Sequence, residues 1–129
     1  MKQETVLIYA QNPNFEFTET GHRYIGKWII FLTEKTWENW WSIIKKATEK
    51  GELGISAKYL YDPNFIGNKA NRGVICVYTK DYRDKGEVFK VRNKLKELGF
   101  VQPLAYKTDE ATLQGKYSYN TSNISLYRS

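Results

Sequence analysis

Apolar residues follow two different periods along this chain, and each change of period marks an element. Gly73-Val74-Ile75-Cys76-Val77-Tyr78-Thr79 is nearly unbroken in hydrophobicity, opened by glycine and closed by the charged residues 80–84. A run of that length with apolar side chains on both faces predicts a strand covered on both sides, hence central in a sheet. Lys27-Trp28-Ile29-Ile30-Phe31-Leu32-Thr33 reads the same way. Residues 54–60 alternate more cleanly, with Ile55, Ala57 and Tyr59 on one face and Ser56 and Lys58 on the other. Residues 104–107 predict a short strand, residues 6–10 another, and residues 15–18 a brief edge strand after the break at Gln11-Asn12-Pro13-Asn14. Residues 117–127 alternate weakly, as a ragged strand or a strand pair.

Two segments change to helical spacing. Thr33 is placed to cap the first, with Glu34 in its first turn, Trp37, Trp40, Trp41, Ile44 and Ala47 on one face, and Gly51 as the stop. Asp84 caps the second, with Glu87 at capping-box distance. Val88, Val91, Leu95 and Leu98 form its stripe, Lys90, Arg92, Lys94 and Lys96 fall on the solvated arc, and Gly99 ends it. The resulting order, β-α-β-β-α-β, is that of the split βαβ arrangement. The expected fold is α+β: a curved, mainly antiparallel sheet with two helices on one face, extended by N- and C-terminal strands. Residues 1–129 form one domain, with a core over 27–127 and a loosely attached segment over 1–26. Residues 61–72 are a loop.

Composition narrows the chemistry. The chain of 129 residues carries a net charge of +6, which favours an anionic partner. No apolar run reaches the roughly 20 residues of a membrane helix, and residues 1–10 lack the form of a signal peptide, so the expected location is cytoplasmic. The single Cys76 excludes an internal disulfide and a cysteine-rich zinc site. Phosphate-binding loops, dinucleotide fingerprints and zinc-hydrolase motifs are absent, so neither metal nor cofactor is expected. The one histidine, His22, lies in the segment with least pattern.

Candidate ligand groups come from the alternation. If Ile55, Ala57 and Tyr59 face the helices, Lys58 projects from the opposite face. By the same alternation Leu104 and Tyr106 turn inward, and Lys107 projects with Lys58. With Arg72 entering the central strand, these cations suit a phosphate or carboxylate. In a flat split βαβ sheet the two lysines stand three strand spacings apart, about 14 Å, so one anion meets both only if the sheet bends. Asp109-Glu110 follows a strand end and could position a ligand. Sequence-indifferent RNA or DNA binding through the basic surface is a third reading.

Several blocks resemble a known family: Gly26-Lys27-Trp28-Ile29-Ile30-Phe31, Gly54-Ile55-Ser56-Ala57-Lys58, Val74-Ile75-Cys76-Val77-Tyr78-Thr79-Lys80-Asp81-Tyr82 and Tyr106-Lys107-Thr108-Asp109-Glu110-Ala111-Thr112. Over about residues 22–117 they are similar to small archaeal proteins related to the mammalian basophilic-leukaemia-expressed protein. The resemblance implies a fold like that of the cap-binding translation initiation factor, and a label as a phosphothreonine-lyase-like domain. The first implication is a concave sheet face holding a nucleotide, with Trp28 and Tyr59 beside its base and Lys58, Arg72 and Lys107 on its phosphates. The second is β-elimination of phosphate with Lys58 as base, for which a histidine acid is expected on the preceding strand; none is there. The reading that results is a domain binding a phosphorylated ligand, nucleotide or phosphopeptide, in a basic pocket on the concave face. A lyase-like enzyme is the alternative.

Overall fold

The computed structural model describes residues 6–15, 24–32, 37–61, 73–108 and 125–129. Within them run β1 (Val6–Gln11), β2 (Gly26–Leu32), α1 (Trp37–Glu49), β3 (Ser56–Tyr61), β4 (Gly73–Thr79), α2 (Lys85–Glu97), β5 (Ala105–Thr108) and β6 (Ser125–Arg128). The strands form one curved sheet in the order β1-β3-β4-β2-β5-β6, antiparallel at each described pairing. The four inner strands have split βαβ connectivity, and β1 and β6 extend the two edges.

Both long apolar runs lie at the centre, β4 against β2, as their two-sided hydrophobicity requires. On the helix-covered face, Trp28, Ile30, Ala57, Tyr59, Ile75, Val77 and Tyr106 are buried beneath Ile44 of α1 and Val88 and Leu95 of α2. Gly26 is needed where it stands, because a Cβ there would overlap the Tyr106 ring and hydroxyl. That hydroxyl shares a buried hydrogen bond with Thr79 Oγ1 across β2.

The helix ends follow their signals, with one change. Asp84 Oδ1 accepts from the Glu87 amide at 3.2 Å. The Glu87 carboxylate, however, accepts from the Lys80 amide rather than closing the box, so it ties β4 to α2. Gly51 and Gly99 adopt φ of +75° and +112°, the left-handed region that stops a helix on glycine.

Two expectations are corrected. Arg92 is not on the solvated arc of α2; it is fully buried and donates to the carbonyls of Phe100, Gln102 and Ser129 at 2.8, 2.8 and 3.0 Å. Helical geometry explains this, since position 92 is one turn from Val88 and so belongs to the buried stripe. The three carbonyls supply what a buried guanidinium needs, and burial lowers its pKa. Nor is the whole of residues 1–26 loosely attached, because β1 pairs with β3 along its full length. The Thr33 cap, the strand over 15–18 beyond Phe15, and most of the 117–127 segment lie outside the described residues. Among the described residues no helix is long and apolar enough to cross a membrane.

Candidate functional site

The sheet face away from the helices is where the strand registers collect chemistry. Lys58 on β3 stands opposite Cys76 on β4, which stands opposite Ile29 on β2. Two residues along the strands, Ser56, Tyr78, Lys27 and Lys107 form the neighbouring row across β3, β4, β2 and β5. Lys58 and Lys107 therefore share a face, three strand spacings apart. Lys27 and Tyr78 fill the interval. The Lys27 and Lys58 ammonium groups each lie 5.8 Å from the centroid of the same Tyr78 ring, one from either flanking strand. That ring offers both cations its negative face.

Lys27 and Lys107 are direct register partners, an arrangement in which like charges repel. The effect appears on Lys107: burial pushes its ammonium below the usual lysine range, and the charges of Lys27 and Arg128 push it further. Negative charge on the Cys76 sulfur acts the other way. Lys27 and Cys76 are only 7% and 5% exposed, so the cluster has a floor as well as a rim. Lys27 and Lys58 thus flank Tyr78, Lys107 stands beside Lys27, and Arg128 acts on Lys107 from the β6 edge. Among the described residues, the groups acting on Lys107 include no carboxylate.

Sequence reasoning missed Lys27 and Arg128. The signal for Lys27 was present, since the inward Trp28 forces its neighbour outward. Two residues expected at the ligand are placed elsewhere. Trp28 is completely buried on the helix side, where its Nε1 donates to the Val88 carbonyl at 3.0 Å and its ring meets Phe89 and Tyr106 edge-on. Tyr59 is 1% exposed and stacks on Trp37, ring centroids 4.3 Å apart. Both belong to the core because strand alternation sends them the opposite way from Lys27 and Lys58. Arg72, Asp109 and His22 lie outside the described residues. The strand before α1 presents Lys27, Ile29 and Phe31 to the open face, with no histidine among them.

A separate cavity of about 790 Å³ opens on the helix side, between α2 and the turn at Gly51–Ile55. Most of its charged lining is paired within itself, Lys80 with Glu87 and Lys94 with Glu52 and Glu97. Size alone favours that cavity as a ligand site, but the lysines that share one face are on the sheet. Among the described residues no group of three or more His, Cys, Asp or Glu side chains gathers as a metal site.

Comparison with known proteins agrees with this architecture. A family model described as basophilic leukemia-expressed protein Bles03 matches residues 14–113. Two solved structures of schistosome eIF4E share the fold. The one in complex with m7GpppA and 4E-BP has a TM-score of 0.53 at 11% identity, covering 84% of this chain and 61% of its own. The one with m7GpppG and 4E-BP has a TM-score of 0.54 at 10% identity, covering 84% and 60%. At such identity the likeness is one of fold, and this chain spans about three fifths of the length of those structures.

Proposed function

The chain belongs to the Bles03 family, and from that premise we propose that it binds a phosphorylated ligand on the open face of its sheet, through Lys27, Lys58 and Lys107 with Arg128 at the rim. The observation that carries this reading is the placement of Lys27, Lys58 and Lys107 on one sheet face, with Lys27 and Lys107 as direct register partners and Lys27 and Lys58 on the same Tyr78 ring. Packing like charges together costs the free protein stability, and an anion lying among them removes that cost. Phosphate, with several strong acceptor oxygens, suits lysines approaching from different strands. The eIF4E structures, whose complexes contain m7GpppA or m7GpppG, support a nucleotide as one form of the ligand. A phosphopeptide is the other. Arg72 and Asp109 are proposed to complete the site from the segments next to β4 and β5.

The reading favours binding over catalysis. In an elimination, Lys58 would be the base and a histidine on β2 the acid. The side chains β2 turns to the open face offer no such group, and a general acid is worth about 10²–10⁴ in rate. Trp28 and Tyr59 are not part of the proposed site.

Calorimetric titration with inorganic phosphate, a nucleoside monophosphate, m7GTP and a phosphothreonine peptide tests the proposal. At least one binds, and Lys27→Met or Lys58→Ala weakens it roughly 10- to 100-fold, the loss of one hydrogen bond to a charged group. Absence of binding by all four, or unaltered affinity in both variants, would end this reading.

A further inference from the structure

The rest of the open face bears on what the phosphate is attached to. Leu7 on β1 pairs with Leu60 on β3, Leu60 with Val74 on β4, and Val74 with Phe31 on β2. These four side chains form an apolar row across four strands. The middle row, Tyr9, Lys58, Cys76 and Ile29, separates it from the row holding Lys27 and Lys107. One face of one sheet therefore grades from cationic at one end of its strands to hydrocarbon at the other. Leu60 is two residues from Lys58 and Phe31 four from Lys27, which sets the two ends about 7–13 Å apart.

Much of the apolar end is open to solvent. Leu7 and Tyr9 on β1 are 50% and 56% exposed, and Phe31 at the other end of the row is 49% exposed. The same strands bury nearly every side chain on their other face, so the exposure belongs to this surface. Leu7, Leu60, Val74 and Phe31 have no polar side-chain atom, and the backbone between them is engaged in strand pairing. Such a row has nothing with which to read the edge of a nucleobase, which needs donors and acceptors. A hydrocarbon chain needs neither. Ile29 and Cys76, in the row between the two ends, are 8% and 5% exposed, which suits one enclosed molecule better than a flat bilayer.

We propose that the ligand is a monomeric amphiphilic phosphate, a phosphate monoester of an alkyl or polyprenyl chain, with its phosphate among Lys27, Lys58 and Lys107 and its chain along Leu7, Leu60, Val74 and Phe31. This rests on the anion site proposed above and narrows its ligand from phosphorylated compounds in general to amphiphilic ones.

The test is a titration of the full chain with inorganic phosphate and with butyl, hexyl and octyl phosphate below their micelle concentrations. Affinity rises with each added methylene, by roughly two- to fourfold for partial to full burial. Phe31→Ser and Leu7→Ser, both at exposed positions, flatten that dependence while leaving inorganic phosphate binding unchanged. If all four compounds bind equally, or guanosine monophosphate binds more tightly than octyl phosphate, the amphiphile is wrong and the anion site stands. If neither inorganic phosphate nor any of the esters binds, both readings fall. Sedimentation with phosphatidate vesicles, without binding of monomeric octyl phosphate, would also overturn the proposal in favour of a membrane surface.

Discussion

The two faces of the sheet are made by alternate residues of the same strands, yet they obey opposite rules. Under the helices, Trp28, Tyr59 and Tyr106 are buried, and each polar contact described there has a fixed partner: Trp28 with the Val88 carbonyl, Thr79 with Tyr106. On the other face, Lys27, Lys58 and Lys107 share one end and the exposed Leu7 and Phe31 lie toward the other. One surface is closed over by the helices, whereas the other gathers like charge at one end and exposes hydrocarbon at the other. The difference separates scaffold from site more sharply than cavity size does, since most charges lining the 790 Å³ cavity by α2 are paired with one another.

Substitutions should separate the faces in order of size. Trp28→Ala removes the largest buried ring and leaves the Val88 carbonyl without its donor; a loss of about 3–5 kcal/mol in denaturant unfolding is expected. Arg92→Met strips three carbonyls of their donor and should cost roughly 3 kcal/mol, loosening β6 first in hydrogen exchange. On the open face, Lys27→Met should leave the unfolding midpoint unchanged or raise it, while weakening phosphate binding roughly 10- to 100-fold. A midpoint that fell as in Trp28→Ala would erase the distinction between the faces. Asp84→Ala removes a helix cap at a cost of about 1 kcal/mol, without altering phosphate affinity.

The smallest effect is a pH dependence. The pKa of Lys107 is lower in the folded protein than in the unfolded chain, so the unfolded chain holds more protons between those two values. Stability through this group is therefore present above the unfolded lysine pKa and is lost as pH falls through the folded one. Lys107→Met should flatten that alkaline slope and stabilise the protein slightly at neutral pH. An unchanged slope would mean that Lys107 is not under the strain described.

How far the sequence led depended on which regularity was followed. The two apolar runs identified the central strands, and Asp84 and Gly99 bounded α2, because these signals are local. Alternation placed Lys58 and Lys107 on one face and turned Tyr59 toward the helices; setting Tyr59 beside a ligand followed the resemblance against the alternation, and the alternation held. Arg92 stands at core spacing from Val88, and its charge points to solvent while its position points to the core. That Lys27 partners Lys107 was not legible, since parity along a strand does not give the register between β2 and β5. The apolar row was hidden for the same reason: Leu7, Leu60, Val74 and Phe31 come from four segments that only strand pairing brings together.

The central claim is that Lys27, Lys58 and Lys107 hold one anion together. Side-chain NMR of the lysine ammonium and ε-methylene groups, followed through a titration with octyl phosphate, addresses it most directly. The account predicts saturable shifts of these three lysines with a single dissociation constant and a rise in the Lys107 pKa, while Lys45 and Lys46 on α1 stay still. Equal small shifts across all lysines, or movement confined to α1 and α2, would contradict it.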